Sequence, residues 1–185
     1  MILVGDWAPG IKQVRLTNST TTIVLGNMEG PILPCEHSLR KLPKAGPSLF
    51  SCQLPLGNNQ FIFSLANNHI MDYGLFGLDE TIKSINKNGF KACGAGNNID
   101  DARRPIIIKD EGIQVGIIAC CEAQFGVARL NSLGVAEFGP WIYQTIRVLR
   151  YTVDAVVVSC HAAIEDSPWP SPYIRDLYRS FIDAG

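Results

Sequence analysis

Phe61-Ile62-Phe63-Ser64-Leu65-Ala66 runs into Asn67-Asn68-His69, and within a few residues a different pattern takes over. The first part is a short apolar run bounded by turn residues, which reads as a buried strand. From about Leu75 to Lys87 the apolar residues recur at helical spacing, with Leu75, Leu78, Ile82 and Ile85 forming one stripe. Asn88-Gly89 then supplies a helix stop. Strand, polar turn and helix make one unit of an alternating α/β chain.

The same ending recurs three more times. Met1-Ile2-Leu3-Val4-Gly5 runs into Asp6, Ile23-Val24-Leu25-Gly26 into Asn27 and Glu29, and Ala155-Val156-Val157-Val158-Ser159-Cys160 into His161. In open α/β sheets the ligand crevice lies outside the carboxyl ends of the strands. Residues far apart in sequence are therefore expected to converge along one edge. They are Asp, Glu, Asn and His, the ligand types of an oxygen/nitrogen metal site. The competing explanation is that polar residues commonly end strands.

The intervening sequence fits the alternation. Phe90–Cys93 reads as a short strand, Gly94-Ala95-Gly96-Asn97 as a turn, and a short helix is expected near Asn98. Ile106–Ile108 and Val115–Cys121 read as a hairpin joined through Asp110-Glu111-Gly112. A helix is expected from Pro140 with Ile142, Ile146 and Leu149 on one face, and a last one from Ser171 as N-cap with Pro172 at its first position. Ile174, Leu177, Tyr178 and Phe181 would form the buried stripe of that helix. Residues 30–59 carry Pro31, Pro34, Pro43, Pro47 and Pro55, which excludes regular helix or a central strand. This stretch is either a covering loop over the crevice or a variable insertion.

A chain of 185 residues fits one domain, 1–185, with a real core. Its hydrophobic content of 46% and charged content of 18% are those of an ordinary globular protein. A net charge of −1 gives no electrostatic footprint for nucleic acid or an anionic membrane. No apolar run reaches membrane-spanning length. Met1 opens directly into a strand rather than a basic and apolar leader, so no removed signal is expected. The six cysteines form no C-x-x-C pair, which makes a thiolate zinc site unexpected and a reducing compartment, the cytoplasm, the expected location.

The ordered motifs resemble those of the bacterial capsule-synthesis family, the poly-γ-glutamate capsule proteins, within the calcineurin-like metallophosphoesterase superfamily. They are Gly5-Asp6, Asn27-Met28-Glu29-Gly30-Pro31 against N-L-E-x-P, and Ala66-Asn67-Asn68-His69-Ile70-Met71-Asp72-Tyr73-Gly74. Gly77-Leu78, Thr81, Gly94-Ala95-Gly96, and His161 with Glu165 against H-x-G-x-E complete the set. The resemblance implies a layered, mixed β-sheet sandwich flanked by helices, of metallophosphoesterase type. Two departures are visible: Ala163 stands at the usual Gly, and the family continues into a strand and a G-H-x-P-H segment where this chain ends. The alternation likewise expects another strand after Gly185, so the expectation is a chain shortened at its C-terminus, or one whose open sheet a second copy completes.

The resemblance also implies roles. Two divalent cations, of Mn, Fe or Zn, are expected, with Asp6, Glu29, Asn68 and His161 as ligands. Asn27 is an alternative to Glu29, and Asn67 and Glu165 are expected behind the ligands. His69 would face substrate as acid or oxyanion stabiliser, oriented by Asp72, which is alternatively or additionally the N-cap of the next helix. The function expected is a metal-dependent hydrolase acting on a phosphate ester or capsule-type polymer. Alternatives are a non-catalytic capsule assembly protein and a cysteine-nucleophile enzyme using Cys160 or Cys121. His37 reads as a surface residue.

Overall fold

The apolar runs pair into two sheets in the computed structural model, which describes residues 1–8, 22–34, 49–50, 54–55, 60–123, 126–162 and 167–185. In chain order the elements are β1 (Ile2–Trp7), β2 (Ile23–Met28), β3 (Ile32–Leu33), β4 (Leu49–Phe50), β5 (Gln60–Ser64), α1 (Gly74–Lys87), β6 (Lys91–Cys93) and β7 (Ala95–Gly96). There follow α2 (Ile99–Ala102), β8 (Ile106–Asp110), β9 (Ile113–Cys121), β10 (Gly134–Val135), α3 (Trp141–Leu149), β11 (Ala155–His161) and α4 (Pro172–Asp183).

The first sheet has the order β1-β2-β5-β6 and is parallel throughout. Its strands therefore share one carboxyl edge, where Asp6, Asn27 and the Asn67–His69 turn lie. The second sheet has the order β11-β9-β8, with β11 parallel and β8 antiparallel to β9. The β8–β9 hairpin closes through Glu111 (φ 49°) and Gly112 (φ 93°). Two successive left-handed residues give the turn twist that matches flanking strands.

Every residue of β2 is buried, as a continuous apolar run in a parallel sheet requires. Val24, Leu25, Phe61 and Phe63 of the first sheet share one core with Val115, Ile117 and Ala119 of the second. α1 packs against β3 and β6. The other face of the second sheet places Ile118 and Cys120 against Ile142, Ile146 and Leu149 of α3 and Phe181 of α4. The result is a mixed α/β sandwich of two main sheets with helices outside, as the resemblance implies. None of the described helices is long and apolar enough to cross a membrane.

Several expectations are corrected in detail. Of the expected stripe of α1, Leu78 and Ile85 are buried and Ile82 packs against the core, but Leu75 is 54% exposed, because the burying face is rotated to include Gly77 and Thr81 toward Pro31 and Ile32. Tyr73, not Asp72, occupies the N-cap position of α1. Ala95-Gly96 is a short strand paired antiparallel with β10 rather than a free turn. Within the proline-rich stretch, β3 and β4 pair in parallel over two residues. Asp6 lies inside β1, after a register irregularity between Leu3 and Asp6, rather than beyond its end. Glu165 and His37 lie outside the described residues.

Gly94 sits where the two sheets approach. Its φ is 87°, and an added Cβ would lie 2.8 Å from the Cβ atoms of both Ala66 and Ala119, one from each side of the core. Gly94→Ala combines a left-handed backbone with overpacking, each worth about 1–3 kcal/mol. The variant is expected to lower unfolding free energy by about 3 kcal/mol, and urea denaturation checks this.

Candidate metal centre

Asp6 and His161 come from the edge strands of the two sheets, and Glu29 follows β2. Side-chain ligand atoms of these three residues lie within 4.8 Å of one another. They line or adjoin a cleft of about 210 Å³ between the sheet edges, bordered by Val4, Gly26, Asn27 and Val157. His161 and its neighbour Cys160 both border this cleft, and strand alternation packs Cys160 with the helix-covered cluster of the second sheet.

Glu29 is held by the segment that follows it. An added Cβ on Gly77 would lie 2.8 Å from the Tyr73 Cβ and in ordinary contact, at 3.4 Å, with the Pro31 Cβ, so it is the preceding turn that requires glycine where the helix meets the proline. The Ile32 amide donates to Thr81 Oγ1 at 2.8 Å, and that hydroxyl donates to the Gly77 carbonyl at 2.6 Å. Gly77 and Thr81 thus position Glu29 through the backbone. Sequence reading singled out both without assigning this work. The signal was available as a glycine and a threonine one helical turn apart on a buried face.

Asn67 clamps the turn after β5 to the end of β2. Its Oδ1 accepts from the amides of His69 (3.0 Å) and Ile70 (2.7 Å). Its Nδ2 donates to the Met28 carbonyl at 2.7 Å and to Asn27 Oδ1 at 3.0 Å. Two backbone N–H groups can meet only the oxygen, so the orientation of Asn67 is determined, and with it that of Asn27. The Asn27 amide nitrogen therefore points into the cluster, donating to Asp6 Oδ1 at 2.8 Å and Glu29 Oε2 at 2.5 Å, with His161 Nδ1 at 3.3 Å. In this arrangement Asn27 offers the cluster a donor, not a ligand oxygen.

A second chain of donors runs through the histidines. Asp72 Oδ2 lies 3.0 Å from His69 Nδ1, and a carboxylate accepts, so that nitrogen carries the proton. Neutral His69 then accepts at Nε2 from Asn68 Nδ2, 3.3 Å away. Asn68 Oδ1 is left to accept from His161 Nε2 at 2.9 Å. The neutral His161 ring consequently turns its Nδ1 lone pair toward the cluster, 3.7 Å from Glu29 Oε2. The structure thus brings Asn68 to His161 rather than to the carboxylates.

The donor set tests well against one divalent cation. Two carboxylates and an imidazole lone pair suit Mn, Fe or Zn. The Asn27 NH₂ sits at their focus with two hydrogens for three acceptors, and a cation bound there would take its place among the three lone pairs. A second cation of the expected pair finds no comparable cluster of His, Cys, Asp or Glu among the described residues.

Burial pushes the Glu29 carboxyl up from its ordinary value, and neighbouring Asp6 adds to this. The nearby His161 and His69 and the Asn27 hydrogen bond pull the other way without cancelling it. A raised folded pKa means the folded state holds the proton longer than the unfolded chain. Metal-free stability should therefore fall as pH rises from about 4.5 through the folded value. Urea denaturation in chelator across pH 4 to 8 checks this, since the difference between wild type and Glu29→Gln isolates the carboxyl's share.

The cysteine-nucleophile alternative finds little support in this geometry. Cys160 and His161 face opposite sides of the sheet, and burial pushes the Cys121 thiol up to about 12.

The family model described as "Bacterial capsule synthesis protein PGA_cap" matches residues 5–185. The chain is 30% identical over 131 residues to the PGA biosynthesis protein CapA of Bacillus subtilis (strain 168), covering 69% of this chain and 34% of that protein. It is 28% identical over 131 residues to the capsule biosynthesis protein CapA of Bacillus anthracis, covering 67% of this chain and 32% of that protein. The chain spans about a third of the length of these curated relatives.

Proposed function

The chain belongs to the bacterial capsule synthesis (PGA_cap) family, and on that premise we propose that it is a divalent-cation-dependent hydrolase domain serving capsule biosynthesis. Its substrate would be a phosphate ester or a capsule-type polymer. The observation that carries this reading is the convergence of Asp6, Glu29 and His161 within 4.8 Å at the open edge of the sandwich. A divalent cation held there would supply Lewis-acid polarisation of a substrate oxygen and acidify water.

The chain's own residues prepare the rest. Asn27 aligns the two carboxylates, and Asn68 holds His161 in the tautomer whose Nδ1 faces the cleft. Asp72 orients His69 by accepting from its Nδ1, so that His69, 18% exposed at its side chain, serves as the acid–base group at the cleft's flank. Asn68 joins the two imidazoles, which ties the orientation of His69 to that of His161.

Manganese titration by calorimetry, with hydrolysis of p-nitrophenyl phosphate as the probe reaction, tests the proposal. About one Mn²⁺ per chain is expected, with turnover that Asp6→Asn removes. Unchanged manganese affinity in Asp6→Asn would sink it. A non-catalytic assembly role is the second reading, favoured by the lack of a second ligand cluster among the described residues. Metal binding without turnover of either the ester or poly-γ-glutamate would select it.

A further inference from the structure

Outside the candidate metal centre, two thiols face each other across neighbouring strands. Cys120 of β9 and Cys160 of β11 are register partners, and their Sγ atoms lie 3.6 Å apart. We propose that Cys120 and Cys160 form a redox-active dithiol, which closes to a disulfide by exchange with a low-molecular-weight disulfide of the glutathione class.

The backbone already meets the requirement for such a bond. Neighbouring strands run about 4.8 Å apart, inside the roughly 4.4–6.8 Å Cα separation that a disulfide spans. Register partners on parallel strands project to the same face, so side-chain rotation together with a slight approach of the two strands brings the sulfurs from 3.6 Å to about 2.05 Å. Access is graded. Cys160 lines a cavity of about 550 Å³ with Val156, Val158, Tyr178, Ile182 and Gly185. Cys120 lies beneath it with no exposure. The other described cysteines, Cys93 and Cys121, are buried, and Cys121 points to the Ala136 carbonyl.

The exchange runs in two balanced steps. The Cys160 sulfur attacks one sulfur of the small disulfide. Its S–S bond breaks, and the departing half takes up the proton lost by Cys160 and leaves as a thiol. Cys120 then attacks the Cys160 side of the mixed disulfide and releases the second half as a thiol with the proton from Cys120. The protein dithiol is oxidised by two electrons and the small disulfide is reduced by two.

His161 is the next residue after Cys160, and its carbonyl accepts from the Glu122 amide at 3.3 Å. Drawing β11 onto β9 at position 160 shifts the anchor of that imidazole. Closure is therefore expected to weaken manganese affinity several-fold, a consequence that rests on the metal reading given above.

The test is peptide mapping of the folded, full chain, reduced and then held with oxidised glutathione, with free thiols alkylated at the end. The expected product is a 120–160 linked peptide lacking two hydrogens. It should be absent from Cys160→Ser and from Cys120→Ser, and reversed by dithiothreitol. Cys160 remaining as a stable glutathione adduct, linking to another cysteine, or staying unreacted after hours would each overturn the proposal. A 120–160 yield no higher in folded than in urea-unfolded protein would do so as well. Manganese titration of the two forms separates the consequence: equal affinity overturns the coupling, whereas no binding by either form counts against the metal reading and leaves the dithiol standing.

Discussion

His161→Ala should weaken manganese binding at least about 100-fold, beyond the 10–100-fold that loss of a residue behind a ligand typically costs. The imidazole does two things at the cleft. Its Nδ1 lone pair is the one nitrogen donor in a cluster otherwise made of carboxylates, and its Nε2 proton occupies Asn68 Oδ1 at 2.9 Å. Alanine removes the donor and releases Asn68, so the site loses both a ligand and the group that holds the neighbouring amide. The stability cost should be small, because the side chain is 27% exposed and makes no large packing contribution. A calorimetric titration with manganese, alongside thermal unfolding of the metal-free proteins, reads both quantities. Affinity within a few-fold of wild type would remove His161 from the ligand set. Asn68→Ala supplies the graded comparison: it frees the imidazole tautomer but keeps the donor, so a loss within the 10–100-fold range is expected.

The second large effect is on stability. Asn67→Ala should cost about 4 kcal/mol of unfolding free energy, because a side chain with no exposure satisfies four groups at once. Its loss leaves the Met28 carbonyl, the His69 and Ile70 amides and Asn27 Oδ1 seeking partners where water has little access. Each unsatisfied buried group costs about 1–3 kcal/mol, and partial relaxation of the turn keeps the total below the simple sum. Asn67→Asp is the instructive partner variant. It keeps the acceptor for the two amides but sets a carboxylate oxygen against the Met28 carbonyl and Asn27 Oδ1. It should be nearly as destabilising. Urea denaturation of the metal-free proteins measures both, and a loss below about 1 kcal/mol for Asn67→Ala would show that the turn does not depend on this clamp.

The alternation of elements was legible because it rests on local period. Ile142, Ile146 and Leu149 are buried on one face of α3, Ser171 caps α4 by accepting from the Ile174 amide at 3.3 Å, and the β8–β9 turn falls where Glu111-Gly112 allows it. Leu75 shows the limit of the same logic. It falls on the periodic stripe, yet α1 turns the face carrying Gly77, Leu78 and Thr81 toward Pro31 and Ile32, which leaves Leu75 outside. Asp72 shows another limit. Its spacing suited both a cap and an imidazole partner, and the helix begins one residue later, from Tyr73.

For the candidate centre, the sequence by itself determined the chemistry of the groups: carboxylates, amides and imidazoles at the ends of apolar strands. Strand length, side-chain alternation and turn composition are properties of neighbouring residues, and they place Asp6, Asn27 and the Asn67–His69 turn at one edge of a parallel sheet, whereas His161 comes from the second, mixed sheet. Only the tertiary structure decided which atom meets which. Asn68 and His161 are 93 residues apart in sequence, and their contact depends on how the two sheets pack edge to edge. The direction of the Asn27 amide depends likewise on Asn67, 40 residues on. A hydrogen bond selects its partner within a few tenths of an ångström, a scale set by packing between distant segments rather than by periodicity within any one of them.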